Sequence, residues 1–427
     1  MQEFKVNEYI TLKLESKKAN IYVKGELFEQ CKFLLLNIPA EEIDSYNEIE
    51  SIDEIAEKLG WTEDRQLGVD YELTPETEFF GHCSNLQAWV ENNYDTRLLH
   101  RNLAFSLLKK LVDVGDLTAK KVFKEEISKR LASGFPSVIN YLTREGYDNY
   151  LSREEYLLSF LNNEDGETLL DLEKILGFQF QIKEHLDDFR DVDECDRIEI
   201  KSNNIIGITL SYVELTKDII GSLKELKSLR KLIFSSTKIE MLEELFSAIK
   251  KLNELKIYCD DIKEIPKSID MLINLEKLII TGIRSKCVPN SLWNLKSLRS
   301  LSLVGSSIMR PTLQSISSSI ENLKSLKVLS LRGNELTALP ESIGHLSSLK
   351  VLSLRGNELT ALPESIKKLG SLERLDLGRN PLKELAETIK DLHSLKILFL
   401  DKNQADEKKN KEIFDFLKKK GVKVIRI

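Results

Sequence analysis

The sequence predicts an α/β protein whose C-terminal half is a curved solenoid of parallel strands. The N-terminal half is predicted to be an α+β to mostly helical domain. Three observations lead to this prediction: a 23-residue unit recurs through the second half, apolar residues alternate within each unit, and helical spacing dominates much of the first half. The 427 residues, 41% hydrophobic and 31% charged, suit a soluble globular chain of two or three domains.

The charge and the cysteines narrow the class of protein further. A net charge of −7 argues against a nucleic-acid binder with a basic surface throughout. The five cysteines stand at scattered spacings without a C-x-x-C motif, which favours neither a disulfide framework nor a zinc site. The opening residues lack the apolar region of a secretory signal, and the longest apolar run, residues 33–36, is too short for a bilayer. We therefore expect a cytoplasmic protein.

The repeat is clearest at residues 326–348 and 349–371, which differ only at Gly344/Lys367, His345/Lys368 and Ser347/Gly370. The spacing is 24 between the first two units, and it is 28 between the units that flank Met309, where five residues are inserted. The pattern L-x-x-L-x-L-x-x-N-x-L begins nine times, at Ile205, Leu229, Leu252, Leu275, Leu298, Leu326, Leu349, Leu372 and Leu395.

Each unit predicts a short strand followed by a return segment. Leucine or isoleucine at positions 4 and 6 alternates as in a strand, and stacking the units buries these side chains in one column. The asparagine at position 9 is expected to bind backbone groups at the bend; it is Asn334, Asn357, Asn380 and Asn403. Earlier units are less regular and carry Val213, Thr237, Asp260, Ile283 and Ser306 there.

These motifs resemble the leucine-rich repeat family, in particular the 23-residue intracellular type of the Ras-suppressor and plant Ras-group-related proteins. The resemblance implies a parallel-stranded arc with a concave protein-binding face and no catalysis of its own. We assign residues 179–427 to this domain, with the repeats at 205–408. Ile198 and Ile200 in an irregular first strand, and a helix at 412–420 with a following strand, are the expected caps.

The N-terminal half divides into two segments. Residues 1–80 include a β-hairpin or three-stranded meander at 10–38 and an acidic stretch at 39–78, which holds 14 acids and two bases. Residues 81–178 predict a helical domain of several short helices, at 85–93, 96–114, 117–133, 135–146 and 153–163. This half also resembles the leading segment of uncharacterised archaeal leucine-rich repeat proteins, a resemblance that brings no known activity.

One grouping admits an enzymatic interpretation. Cys83 lies before a predicted helix, whose N-terminus could lower the thiol pKa, with His82 or His100 as the base. A thiol enzyme of ubiquitin-ligase-like type, with the repeats selecting substrate, is therefore the alternative. The favoured interpretation is structural: Ser84 or Asn85 is the helix N-cap and Cys83 a small buried hydrophobe.

No other catalytic or cofactor motif is found. The phosphate-binding motifs G-x-x-x-x-G-K-[ST] and G-x-G-x-x-G are absent, and the five histidines have no metal-ligand spacing. We predict a protein with no enzymatic activity, cofactor or metal.

Bases outnumber acids on the predicted concave face. Positions 2, 3, 5, 7 and 8 of the nine units hold 13 bases and five acids, an excess of +8. Arg332 and Arg355 stand one unit apart, so they are expected on neighbouring strands about 5 Å apart. The predicted partner-binding residues are Lys256, Tyr258, Lys277, Lys327, Arg332, Lys350, Arg355, Arg374, Arg379 and Phe399.

The sequence therefore predicts an adaptor or scaffold that binds an acidic protein on this face. A Ras-like small GTPase is the partner that the family resemblance implies. Few aromatics lie in these columns, which disfavours single-stranded nucleic acid. An intramolecular contact with the acidic stretch at 39–78 is a further hypothesis, and solvated, functionally inert lysines and arginines are the alternative to all of these.

Overall fold

The computed structural model describes residues 2–29, 74–99, 101–183, 186, 196–235, 240–305, 312–382, 385, 387–401 and 410–426. Most of the acidic stretch at 39–78, His100, the insertion around Met309 and Asn403 lie outside these residues. The chain forms two compact units: residues 1–133 with 141–160, and residues 134–140 with 161–427.

The first unit begins with an antiparallel four-stranded meander. Its strands are β1 (Gln2–Lys5), β2 (Ile10–Glu15), β3 (Lys18–Val23) and β4 (Glu26–Leu27). The apolar side chains that alternate along β2 and β3, including Ile10, Leu12 and Val23, are buried. Helix α1 (Pro75–Glu91) packs on β2 and β3. The alternation seen in the sequence thus corresponds to one covered face of a small sheet.

Helices complete this unit. They are α2 (Arg101–Asp113), α3 (Leu117–Leu131), α4 (Pro136–Arg144), whose residues are shared between the two units, and α5 (Arg153–Leu158). Side-chain oxygens cap the starts of several helices: Thr74 accepts from Thr77, Asp116 from Ala119, and Ser152 forms a capping box with Glu155.

The second unit contains a twelve-stranded sheet preceded by helix α6 (Asn163–Leu176). Strands β5 (Gln181–Lys183) and β6 (Arg197–Lys201) open the sheet, and β6 pairs antiparallel with β7. The nine repeat strands are β7 (Asn204–Ser211), β8 (Lys231–Ser235), β9 (Glu254–Ile262), β10 (Lys277–Ile283), β11 (Ser300–Gly305), β12 (Val328–Ser330), β13 (Val351–Ser353), β14 (Arg374–Asp376) and β15 (Ile397–Leu400).

All pairings from β7 to β15 are parallel, and they keep one register except for a shift between Thr281 and Ile283 of β10. The fourth position of each unit pairs with the fourth position of the next, from Ile208 with Leu232 to Leu375 with Leu398. The leucines at positions 4 and 6 of the near-identical units, among them Leu329 and Leu331, are fully buried. The α/β solenoid predicted from the repeats is therefore confirmed.

Helical segments return the chain from one strand to the next. Helices α7 (Lys217–Glu225) and α8 (Leu242–Ala248) serve the early units. The later units use five-residue 3-10 helices: Lys267–Met271, Asn290–Asn294, Ser318–Asn322, Glu341–His345, Glu364–Lys368 and Glu387–Asp391. Pro266, Pro289, Pro340 and Pro363 occupy the N-cap positions, where extended backbone suits the fixed φ of proline.

Buried asparagines satisfy the backbone after strands β12, β13 and β14, as predicted for Asn334, Asn357 and Asn380. Asn357 donates from Nδ2 to the carbonyls of Leu331 and Leu354, both at 2.8 Å, and its Oδ1 accepts the N–H of Leu336 at 3.1 Å. Asn334 and Asn380 repeat this pattern. Each amide thus joins consecutive repeats through backbone groups that water does not reach.

Segments outside the nine repeats adjoin the sheet at both ends. At the C-terminus, helix α9 (Lys411–Lys419) precedes strand β16 (Lys423–Arg426), which extends the sheet beside β15. At the other end, Asp165 of α6 accepts the N–H of Ile205 at 2.7 Å, and α6 packs on α7. Helix α6 falls within the second unit and, through these contacts, adjoins the first repeat. The sequence pattern did not reveal this role.

We expect Asn357→Ala to destabilise the repeat unit by roughly 2–4 kcal/mol, because two carbonyls and one N–H lose their partner in a buried site. Urea denaturation followed by circular dichroism measures the change. Glu358→Ala removes an exposed neighbouring side chain and serves as the control. Equal midpoints for the two variants would contradict a structural role of the asparagine column.

A second prediction concerns Asp196, at the start of β6. Burial raises the pKa of this carboxyl to about 6, although its Oδ1 accepts the N–H of Ser211 at 2.6 Å. The folded state then retains a proton that the unfolded chain, with a pKa near 3.9, releases, so this group lowers stability as pH rises from about 4 to 6.

Asp196→Asn keeps an oxygen for Ser211 and removes the charge, so it should stabilise the protein at pH 7 and have little effect at pH 4. Denaturation midpoints at the two pH values test this, with the exposed Asp415→Asn as the control. A stabilisation of equal size at both pH values would rule out titration of Asp196 as its cause.

Candidate functional site

The strand face consists of the residues at positions 2, 3, 5, 7 and 8 of each repeat. Positions 4 and 6 point into the core, so period-two alternation turns positions 3, 5 and 7 outward. In the two near-identical units, Ser330 and Ser353 are half-buried, Arg332 is exposed and Arg355 is half-buried. Because the register is constant, residues at the same position of consecutive units are neighbours about 4.8 Å apart.

Ion pairs between neighbouring strands occupy the early part of this face. Glu254 pairs with Lys256 at 2.8 Å and with Lys277 at 3.0 Å. Burial raises the pKa of Glu254, but the two ammonium groups outweigh it and hold the pKa below its usual value. Lys256 is itself buried. This predicted binding residue therefore lies in a local ion pair and is not displayed to solvent.

A second cluster lies at position 2 of the later units. Glu373 pairs with Lys350 at 3.1 Å and with Lys396 at 2.6 Å. The hydrogen bonds from Lys396 and Lys350 hold the pKa of the carboxyl below its usual value. In the same column, Arg299 pairs with Glu276 at 3.3 Å. Opposite charges at one position of consecutive repeats are the sequence signal that would have predicted these pairs.

The aromatic residues of the face lie in different surroundings. The guanidinium of Arg374 stacks over the ring of Phe399, 4.4 Å from its centroid, and this arrangement is partly exposed. Tyr258 is half-buried on β9, and burial is the main cause of its raised pKa. Phe399 with Arg374 thus supplies a planar contact surface near the C-terminal end of the sheet.

Three of the predicted bases, Lys327, Arg332 and Arg355, contact neither an acidic side chain nor an aromatic ring among the described residues. Arg379 is exposed, and its backbone N–H donates to Oδ2 of Asp401 at 2.6 Å. Arg332 and Arg355 are neighbours, since the N–H of Gly333 donates to the carbonyl of Arg355 at 2.9 Å. The Nε of Arg355 is shielded from solvent and has no hydrogen-bond partner among the described residues.

Position 8 carries a backbone feature that sequence reasoning missed. Gly333 and Gly356 occupy it in the two near-identical units with φ of +71°, and Arg379 and Tyr212 hold the same left-handed conformation at φ of +57° and +54°. Such backbone is unfavourable for residues with a Cβ. Both side chains are exposed, and Tyr212 has 60% of its surface accessible. The glycine column of the twin units was the available signal.

An open depression of ≈ 410 Å³ lies where the strands β8 to β11 begin. It is lined by Arg230, Lys251, Asn253, Asn274, Glu276 and Ser297. Since its lining mixes both signs of charge and Glu276 already pairs with Arg299, the depression offers no clear preference for an anion or a cation.

The surroundings of Cys83 do not suit a nucleophile. Helix α1 begins at Pro75 with Thr74 as its N-cap, so the predicted helix start and the caps Ser84 and Asn85 are wrong. Cys83 lies in the ninth position of this helix, is buried, and burial raises its pKa to about 11. The neighbouring His82 is also buried, and burial lowers its pKa against the opposing effect of Glu78. His100 lies outside the described residues.

No group of three or more histidine, cysteine, aspartate or glutamate side chains in the described part of the chain could hold a metal ion. Over the same residues, the helices are too short or too polar to cross a bilayer.

Parts of the chain are similar to known proteins. Residues 307–421 match the model of the leucine-rich repeat region. No curated protein matches the chain. Among solved structures, a leucine-rich repeat protein of Leptospira interrogans is 28% identical with a TM-score of 0.40, over 50% of this chain and 51% of that one.

Two receptor complexes are also similar. A chain of the Toll–Spätzle complex of Drosophila is 22% identical with a TM-score of 0.37, over 50% of this chain and 30% of that one. A chain of the complex of Toll-like receptor 13 with single-stranded RNA is 25% identical with a TM-score of 0.40, over 45% and 29%. The chain thus spans about half of the Leptospira protein and less than a third of each receptor chain.

The matched region includes strands β12 to β15 and the helix α9 that follows them. Strands β7 to β11 continue the same parallel register toward the N-terminus. Residues 307–421 are therefore a leucine-rich repeat region, which the parallel sheet extends toward the N-terminus.

Proposed function

We propose that this chain is a non-enzymatic interaction module, an adaptor or scaffold that binds an acidic protein on the strand face of its repeats. The observation that carries the proposal is the set of cations that contact neither an acidic side chain nor an aromatic ring among the described residues: Lys327, Arg332 and Arg355. Most other bases predicted for the site already contact a carboxylate or an aromatic ring.

The uneven distribution of charge favours the part of the strand face around Arg332 and Arg355 as the binding site. A second molecule gains little from a lysine that already neutralises a glutamate, because that pair would have to be broken or desolvated first. Arg332 and Arg355 instead repel one another, and an acidic group placed between them reduces this repulsion. Arg374 with Phe399 adds the combination of arginine and aromatic ring that is typical of protein interfaces.

The identity of the partner is a finer proposal. A Ras-like small GTPase is the candidate suggested by the resemblance to the Ras-suppressor type, and a cytosolic setting is suggested by the scattered cysteines. Among the similar structures, one is named for a protein ligand and another for single-stranded RNA. We favour a protein because few aromatic side chains line the outward columns for base stacking.

The double variant Arg332→Glu/Arg355→Glu should lose the acidic partners that the intact chain captures in a pull-down from the cells that produce it. Reversing two charges replaces attraction by repulsion at the centre of the proposed site. The control Lys267→Glu/Lys368→Glu carries the same charge change on exposed lysines of the 3-10 helices and should retain the partners.

Circular dichroism of each variant verifies that the fold is kept. If intact chain and arginine variant recover the same proteins, the basic part of the strand face does not recognise a partner. If the lysine control loses them as well, net charge and not the proposed site accounts for the binding.

The non-enzymatic part of the proposal predicts a slow thiol at Cys83. With a pKa of about 11, the thiolate at neutral pH is roughly 300-fold scarcer than for a free cysteine with its ordinary pKa near 8.5. Maleimide labelling followed by peptide mapping should therefore modify Cys83 much more slowly than the exposed Cys287. Labelling of Cys83 faster than Cys287 would revive the thiol-enzyme alternative.

A further inference from the structure

Each of the two near-identical repeats carries a serine and an arginine at the same positions of the strand face, so the two serines are neighbours and the two arginines are neighbours. Ser330 ends β12 and Arg332 follows it, Ser353 ends β13 and Arg355 follows it, and Ser330 pairs directly with Ser353 in the parallel register. The hydrogen bond from Gly333 to the carbonyl of Arg355 continues this register beyond the strands. Leu329 and Leu331 are buried on the other face, so the serine and the arginine of each repeat point to the same side.

The spacing of the strands and of the residues along them brings two serine hydroxyls and two guanidinium groups close together. Neighbouring strands are about 4.8 Å apart, and alternate residues along a strand are about 6.7 Å apart. The serine side chains are short and leave room beside the longer guanidiniums. The result is a shallow quadrilateral with two hydroxyls on one edge and two guanidinium groups on the other.

This quadrilateral lacks an internal counter-charge. Neither Arg332 nor Arg355 forms an ion pair with an acidic side chain in the described part of the chain, whereas Glu254 and Glu373 each hold two lysines nearby. The shielded Nε of Arg355 is a donor without a partner among those residues. A buried donor without a partner is unfavourable in the free protein, and a turn of the Arg355 side chain toward a bound acceptor removes this cost.

We propose that Ser330, Arg332, Ser353 and Arg355 bind the phosphoryl group of a phosphorylated serine or threonine in the protein partner. This inference rests on the proposed function, because it specifies the chemistry of the acidic partner. The planar guanidinium donates two parallel N–H groups to phosphate oxygens, and the serine hydroxyls donate to the remaining oxygens.

A phosphoryl group fits this arrangement better than a carboxylate. It carries a charge of about −1.5 to −2 at neutral pH and three terminal oxygens, so it can accept from two guanidiniums at once. A carboxylate has a single negative charge and two oxygens, which one bidentate arginine already satisfies. Two arginines without a resident acid therefore match the dianion in both charge and number of donors.

The flanking strands confine the site to one phosphoryl group. Toward β11, the position that corresponds to Arg332 is Val304, which offers no donor. Toward β14, it is Gly378, and Asp376 occupies the position of the serine with its Oδ1 accepting the N–H of Gly378 at 3.2 Å. The carboxylate of Asp376 repels an anion on that side. A row of phosphates, as in a nucleic-acid backbone, would meet this barrier.

The test uses the full-length chain, immobilised, and four pools of degenerate nonapeptides whose central residue is phosphoserine, phosphothreonine, serine or glutamate. We expect at least tenfold greater retention of the phosphorylated pools than of the serine and glutamate pools. A selected phosphopeptide is then synthesised, and its affinity is measured by fluorescence polarisation.

The variant Arg332→Lys/Arg355→Lys keeps both charges and loses the paired N–H donors, so the phosphopeptide should bind at least about tenfold more weakly, since one charge-assisted hydrogen bond is worth that much. Ser330→Ala/Ser353→Ala should also weaken binding, and Lys267→Gln/Lys368→Gln should not. Both double variants on the face substitute outward side chains, and circular dichroism checks their fold.

Equal retention of the glutamate and phosphoserine pools would overturn the inference, as would an unchanged affinity of the lysine variant. If the glutamate pool binds and Arg332→Glu/Arg355→Glu abolishes that binding, the proposed acidic-protein interaction stands while its phosphoryl specificity falls. Displacement of the phosphopeptide by single-stranded RNA that itself binds more tightly would overturn the assignment to a phosphoprotein. Displacement only by inorganic phosphate at concentrations far above the peptide would support it.

Discussion

Parallel stacking in a constant register is the constraint on which the second unit depends. A single repeat exposes its leucines at positions 4 and 6, and only the neighbouring repeats cover them. The strands are three to nine residues long, so much of the backbone turns away from the ladder within a buried environment. Asn334, Asn357 and Asn380 resolve this conflict, because each amide binds carbonyls of its own repeat and of the preceding one. The core and the asparagine column therefore enforce the same spacing.

The same register determines the electrostatics of the strand face. Residues that are 23 positions apart in the sequence become neighbours across one strand spacing. A charged side chain therefore interacts directly with the side chain at the same position of the next repeat. Glu373 lies between Lys350 and Lys396 and neutralises much of their repulsion. No acid follows Arg332 or Arg355 at position 7 until Asp401, where the intervening unit has Gly378. A local excess of positive charge is thus a consequence of the order of repeats, although the whole chain has a charge of −7.

The sequence predicted the fold of the repeats far better than the details of their face. Periodicity was sufficient for the solenoid because leucine at positions 4 and 6 and asparagine at position 9 have one low-energy arrangement in a stack. It was insufficient for the site, because exposure depends on which charges meet across strands: Lys256 was predicted to bind a partner, yet it is buried against Glu254. The start of helix α1 was also missed, since Thr74 and Pro75 signal a helix ten residues before the amphipathic segment that begins at Asn85.

The two near-identical repeats differ on the side of the connecting 3-10 helices and not on the strand face. All three differences, at Gly344, His345 and Ser347, fall in or just after the connecting 3-10 helix, and the strand-face residues are identical. Packing explains one difference: a Cβ at residue 344 would lie 2.4 Å from the carbonyl oxygen of Ser365 in the next repeat, so glycine is required there. The unit that follows has Lys367 at this position, exposed to solvent. The connecting side thus adapts to its neighbour, whereas the two identical strand faces offer the phosphoryl group proposed above two sets of the same donors.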